Sequence, residues 1–435
     1  MTHRGVVMVL TVIFYQGMGM SKLVRGMVLS AACSLCLGEL AVADEFHYNN
    51  QLIGDRASGM GGAYTAISDD ATGMYYNPAA IVYVGDKNFS ASVNAYYSQV
   101  KKYENVIGGQ PFERKSSALL ANYFGIVKPI GKFKIGFSYA VPDAVSEDQN
   151  QTFTNVSANT TRFTINLNNR DTTINFGPSL AAEINNNLSV GLTLYAHKRD
   201  VQFTINQFKQ RNDATATSLW TNTYFRLSET GVRPVLGVAW SPAEKLSLGF
   251  ALSQTYVLSS DAMSQATCWD ALAGGCLATV AAPSIQVPTL TPSGSKRSYP
   301  VRVAIGAAYF ADKNLLVSGD LTYHSAVTDP VYGNKVATLN AALGTEYYVS
   351  NKWAVRAGIY TNMANTPNIQ AGVTNYEEQI NLYGASLSVS SFSGSSSITL
   401  GGSINYGKGK SQILGDLSVQ DASTLGWLIF LSSTY

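Results

Sequence analysis

The chain has 435 residues, and only 13% of them are Asp, Glu, Lys or Arg, about half the usual globular share. Tyr (25), Phe (17) and Gly (38) are plentiful, yet beyond the N-terminus no uninterrupted run of about 18 apolar residues occurs, which excludes a membrane-spanning helix there. Few charges and short apolar runs suit an alternating-strand membrane barrel, with a large soluble β-sandwich or propeller as the rival.

Residues 1–43 read as a signal peptide. Lys22 and Arg25 supply a positive start, Gly26 to Leu37 is mostly small or apolar, and Ala41-Val42-Ala43 is a small-residue cleavage site. Met20 opens a segment of normal signal length, so residues 1–19 read as an over-long gene start; a tandem-helix inner-membrane anchor is the alternative. Removing Arg4, Lys22, Arg25 and Glu39 from the 30 basic and 28 acidic residues leaves 27 of each, and this neutrality argues against a nucleic-acid partner. Cys33 and Cys36 leave with the signal.

Residues 44–86 do not alternate and are dense in Gly, Ala, Asp and Asn. Gly59-Met60-Gly61-Gly62 has neither a strand before it nor a Walker lysine after it, so it is not a nucleotide loop. A compact segment of small residues ahead of a wide barrel reads as a hatch, or plug.

From residue 87 to 435 period-2 alternation recurs. Leu246, Leu248, Phe250 and Leu252 oppose Ser247, Gly249, Ala251 and Ser253; Trp353, Val355, Ala357 and Ile359 oppose Ala354, Arg356, Gly358 and Tyr360. Such segments number about fourteen, the third to fifth falling near 132–148, 171–185 and 188–208. Every second connection is a tight turn, such as Asn185-Asn186-Asn187 or Ser350-Asn351, and the intervening ones are longer. Sorting by parity fits short periplasmic turns and long external loops, and an even count puts both chain ends in the periplasm. The last strand alternates through Leu425, Trp427, Ile429 and Leu431 to a terminal Tyr435, the kind of end that barrel-assembly machinery reads.

The hatch carries a specific resemblance. Phe46, Gly62-Ala63-Tyr64, Asp69-Asp70-Ala71 and Asn77-Pro78-Ala79 match, in order and spacing, the long-chain fatty-acid outer-membrane transporter family (FadL-like, OMPP1/FadL/TodX). The similarity continues weakly through the barrel; many members end on Phe where this chain ends on Tyr. The resemblance implies a fourteen-stranded monomer in the bacterial outer membrane, among its lipids and lipopolysaccharide, that takes up hydrophobic compounds, most often fatty acids. It implies gating by the hatch, at Phe46 and Asn77-Pro78-Ala79, and an inward kink with a lateral wall opening in the third strand.

Other residues add parts. Pro142, followed by Asp143, removes a ladder donor from the third strand, which means a bulge there or a strand that ends near Val141. The external stretch from Ser259 to Arg297 is apolar, with Trp269, Leu272, Leu277 and Ile285, and serves either hydrophobe capture or packing onto its own barrel mouth. Cys268 and Cys276, nine residues end to end with no His nearby, point to a loop disulfide rather than a metal site. Alternation turns Arg302, Asp320, Glu346 and Arg356 inward, as a network anchoring the hatch or as ligands for a carboxylate. Only His47, His197 and His324 remain in the mature chain and none sits in a nucleophile motif, so neither an enzyme nor a cofactor is expected. Uptake of aromatic hydrocarbons, or a structural or secretion-accessory barrel, are the alternatives.

Overall fold

The computed structural model describes residues 45–85, 89–212, 218–271, 276, 284–286, 291–374, 376–394, 396–415 and 417–435. The expected signal peptide and the loop residues Leu272 and Leu277 lie outside the described residues.

Fourteen antiparallel wall strands close into one barrel. They are β1 (Phe89–Ile107), β2 (Gln110–Ile130), β3 (Phe133–Ser157), β4 (Thr160–Asn185), β5 (Leu188–Arg211) and β6 (Ser218–Ala243), then β7 in two runs (Leu246–Ser253 and Tyr256–Asp270). There follow β8 (Arg302–Phe310), β9 (Leu315–His324), β10 (Thr338–Ser350), β11 (Trp353–Asn362), β12 in two runs (Gln379–Ile380 and Leu382–Ser393), β13 (Ser396–Ser411) and β14 (Gln420–Thr434). β1 pairs with β14 from Ser90↔Thr434 to Tyr103↔Ala422, and Phe89 and Tyr435 exchange backbone hydrogen bonds of 2.9 and 3.0 Å. Closure leaves no free sheet edge, and it places both barrel ends on the rim that carries the tight turns.

Alternation decides which face meets lipid. On β5, Val190, Leu192 and Leu194 are exposed, while Ser189, Thr193 and Tyr195 are buried against the lumen contents. A hydrocarbon layer needs only about ten tilted residues per strand. β8 and β9 have 9 and 10, whereas β2 to β6 have 21 to 26. The surplus stands above the membrane, and there the pattern inverts. Farther along β5, Lys198, Asp200 and Gln202 face out while Val201 and Phe203 are buried inside. β4 does the same, with Phe176 and Leu180 outward in the membrane and Ile165 and Leu167 inward above it. Water outside the upper wall takes the polar face, so the apolar face turns to the lumen.

The third and fourth strands therefore run beyond the spans expected from sequence, and the long loop expected between them is an extension of both strands. It ends in a hairpin at Ala158-Asn159, and β1 and β2 likewise meet at Gly108-Gly109, whose φ values of +58° and +77° suit a tight two-residue turn.

The segment of residues 45–85, expected to form the hatch and named so below, packs against the inner face of the barrel wall. It contains α1 (Asp55–Gly59), α2 (Gly73–Tyr76) and a 3-10 helix (Pro78–Tyr83). Ile53, Met60, Tyr64 and Tyr76 are fully or nearly fully buried, with Tyr64 and Tyr76 edge to face at 5.6 Å and Tyr123, Ala308 and Leu316 of the wall packed around them. Six wall glycines make room for its backbone and Asn77. A Cβ at Gly191, Gly237, Gly249, Gly306, Gly344 or Gly358 would overlap hatch atoms of Pro78, Asn77, Thr65, Ala66 or Met60.

Candidate ligand channel

Three sets of contacts fix the hatch to the wall. Glu346 on β10 sits between two guanidiniums: Arg56 of α1 donates to it at 2.6 Å and Arg356 on β11 at 2.7 Å. Arg56 also pairs with Asp69, and Arg356 with Ser390. Asp320 on β9 accepts from the Tyr64 and Thr65 amides at 3.0 and 2.8 Å through one oxygen. Asn77 donates to the carbonyls of Thr65 and Val238, both at 2.9 Å, and accepts from the Ala79 amide at 3.2 Å. Pro78 then opens the 3-10 helix, where its missing N–H costs nothing, and Ser189 on β5 donates to the Ala79 carbonyl at 2.9 Å.

Above the hatch lies a cavity lined by residues of the hatch, the wall and the external connections. Its upper part is the entry of the hatch segment. Glu45 is clamped by Arg297 at 2.8 Å and Arg199 at 2.9 Å. Burial alone would raise its carboxyl, but Arg297, Arg199 and Lys335 hold it down at about 2. Phe46 is buried between the ammonium groups of Lys101 and Lys335, 5.6 and 5.4 Å from its ring centre. His47 contacts the Ile380 carbonyl at 2.7 Å, and Tyr48 stacks on His324 at 4.4 Å.

Its central part gathers cationic groups, with Asp320 as the acid that lines it beside Arg302. The Arg233 guanidinium lies over the Tyr75 ring at 4.8 Å, and Arg302 lines the same space. Nη1 of each is buried with no hydrogen-bond partner, as are His324 Nδ1 and His197 Nε2. Among the described residues no carboxylate stands within ion-pair distance of Arg233 or Arg302. Unpaired buried cations are costly, and an anionic guest would relieve them.

Pro142 and Asp143 line this cavity where the wall is broken. β2 and β3 pair through Tyr123↔Ala140 and again at Ser116↔Glu147, with no ladder pair between. On the other side of β3 the register with β4 shifts between Ala140 and Asp143. The strand continues past Val141 to Ser157, so Pro142 interrupts the ladder within a strand rather than ending it.

The four wall charges singled out in sequence divide. Asp320, Glu346 and Arg356 engage the hatch or its anchor, whereas Arg302 faces the cavity. Trp269 is not in a loop: it lies on β7 opposite Trp220, and alternation from the buried Ala262 turns it out of the barrel. Ile285 pairs with Trp269 through the backbone of a short strand, Ser284–Gln286. Cys268 and Cys276 are disulfide-bonded with 5.6 Å between their Cα atoms. The inner faces of the tall strands carry packed apolar clusters instead: Tyr103, Phe112, Phe153 and Ile165 are buried with Ile380 and Leu382, and Val201 is buried with Leu227.

Arg199 and Arg233 escaped the sequence reading, although the alternation of β5 and β6 already turned them inward. Nothing local to Glu45 or Arg56 signals their partners Arg199, Arg297 and Glu346, which lie about 150 to 300 residues away in sequence.

Comparison with known proteins bears on the whole assembly. The sequence model of the outer membrane protein transport protein family (OMPP1/FadL/TodX) matches residues 34–385. A FadL homologue of Pseudomonas aeruginosa superposes with a TM-score of 0.61 at 14% identity, covering 89% of this chain and 99% of that one. The toluene transporter TodX of Pseudomonas putida gives 0.60 at 14% over 89% and 99%. A deltaS2 mutant of TodX, described as a monoaromatic hydrocarbon channel, gives 0.65 at 13% over 88% and 98%. No curated protein matches the chain in sequence.

Proposed function

The chain belongs to the OMPP1/FadL/TodX family of outer-membrane transport channels for hydrophobic compounds, and we propose that its cargo is long-chain fatty acids. The observation that carries this reading is the cavity that joins the unpaired Arg233 and Arg302 to the break at Pro142. A neutral hydrocarbon has no use for two buried guanidiniums; a carboxylate does.

The route has three stages. The alkyl chain, which loses ~0.8 kcal/mol for each methylene left in water, enters by parting the apolar cluster packed between the tall strands and Ile380 and Leu382. The head passes to Arg233 and Arg302, where charge-assisted hydrogen bonds replace its hydration. Exit runs sideways between β2 and β3 into the membrane, past Pro142 and Asp143, while the hatch stays seated or shifts at Asn77-Pro78-Ala79.

Transport of aromatic hydrocarbons is the second reading, favoured by the solved structures described as toluene transporters and monoaromatic hydrocarbon channels. Binding of oleate, methyl oleate and toluene to purified protein and to an Arg233→Gln/Arg302→Gln variant separates the two. Each lost hydrogen bond to a charged group is worth ~1.5–3 kcal/mol, so oleate affinity should fall at least about tenfold while methyl oleate is unchanged. Wild-type protein that binds toluene and not oleate would overturn the fatty-acid reading.

A further inference from the structure

The outer surface of β4 to β7 above the membrane is layered. Exposed large apolar residues end at Phe176 on β4 and Leu194 on β5, and on β7 they continue to Tyr256 and Leu258. Higher up, Arg170 on β4 stands opposite Gln202 on β5, which stands opposite Arg226 on β6, all three exposed. Two strand spacings put the arginine backbones about 10 Å apart. Among the described residues no carboxylate lies within ion-pair distance of either arginine. Asp200, one row below, is taken by Lys198 at 3.0 Å and Ser228 at 2.7 Å; Asp261 stands at the β7 edge of that row.

Above the arginines come amides, with Asn222 donating to Asn206 at 2.6 Å. Above those, Phe208, Trp220 and Trp269 form one cross-strand row on β5, β6 and β7, the first two exposed. Phe208 is fourteen residues beyond Leu194, about 45 Å along the strand, so this aromatic row is far from hydrocarbon. Exposed aromatic surface there marks a contact site.

We propose that this face docks lipopolysaccharide of the outer leaflet, with acyl chains on the apolar band, phosphates at Arg170 and Arg226, and saccharide on the amide rows and the Phe208–Trp220–Trp269 shelf. Two features select this occupant. The face continues along the same strands as the lipid-facing wall, and above a mixed row that holds Lys198, Asp200 and Asp261 its order of cationic and then neutral aromatic layers matches a glycolipid's phosphate and sugar. The assignment rests on residence in the outer membrane and is independent of the cargo.

The test measures binding of two probes to purified full-length protein in detergent: lipid A, and lipid A carrying its core saccharide. Arg170→Gln/Arg226→Gln should weaken both at least about tenfold and flatten the salt dependence of binding. Trp220→Ala should weaken only the saccharide-bearing probe, by about fivefold. Both sites are outside the closed barrel, and heat-modifiable gel migration checks assembly. If a variant fails to assemble, wild-type protein decides, since phosphate recognition requires affinity to fall as salt rises. Unchanged affinities, salt-insensitive binding, or self-association lost in Trp220→Ala would each overturn the proposal, the last by making the shelf a contact between copies.

Discussion

Replacing Glu346 with Ala should loosen the hatch without unfolding the barrel. Glu346 is 1% exposed and is the shared acceptor of Arg56 and Arg356. Its removal leaves two buried guanidiniums facing one another, and breaking a buried ion pair from one side costs ~3–5 kcal/mol. Arg56 keeps Asp69 and Arg356 keeps Ser390, which places the effect near the lower bound. About 3 kcal/mol corresponds to a roughly hundredfold rise in the open fraction of the hatch. Hydrogen exchange over residues 55–65 and single-channel conductance in planar bilayers should both increase, with heat-modifiable migration unchanged. Adding Arg356→Gln to the variant should recover part of the loss by removing one of the orphaned charges. If Glu346→Ala shows wild-type exchange and conductance, the ion triad does not hold the plug, and the amide contacts of Asp320 and Asn77 would have to suffice.

Pro142→Val restores a backbone donor at the break between β2 and β3. Fatty-acid binding to the purified protein should persist while uptake by cells that depend on it falls; unchanged uptake would remove the lateral exit. The loop after β11 is held by Glu377, 3.6 Å from Arg114, and by Glu378, 3.0 Å from Lys101. Burial, with Glu378 beside it, pushes the Glu377 carboxyl up from 4.5 to about 7 against the pull of Arg114. A raised folded-state value means that the loop is most stable below about pH 4.5, where Glu377 is neutral, and loosens as pH rises through about 7, because burying the ionised carboxylate costs more than Arg114 returns. Limited proteolysis of residues 363–378 should accelerate between pH 5 and pH 8 in wild-type protein, and Glu377→Gln should abolish that difference.

The barrel was legible in sequence because a strand half in lipid must alternate, and its tight turns fall at every second connection. The upper walls were not. On β4 and β5 the apolar face changes sides across Asn169–Asn175 and His197–Arg199, and a reading that follows one phase ends the strand there or misses the change. Asn77-Pro78-Ala79 could be placed in the hatch by resemblance, but its acceptor on β6, the Val238 carbonyl, is a backbone atom that side-chain patterns cannot reveal. The cavity shows the same limit. Arg233 and Arg302 come from β6 and β8 and Tyr75 from the hatch, and only the closed barrel brings them together.

The six glycines under the hatch have a consequence for assembly. Alternation has a period of two, so a wall strand that slipped by one residue would exchange its faces. At each glycine the neighbour then turned inward would carry at least a Cβ: Val190 or Leu192, Leu236 or Val238, Leu248 or Phe250, Ile305 or Ala307, Leu343 or Thr345, Ala357 or Ile359. None fits where even a single Cβ overlaps the hatch backbone or its Asn77 side chain. The plug therefore seats only in a barrel whose strands are in their native register. The segment works as a gauge of the wall around it, and a misthreaded barrel would remain one in which it is not seated.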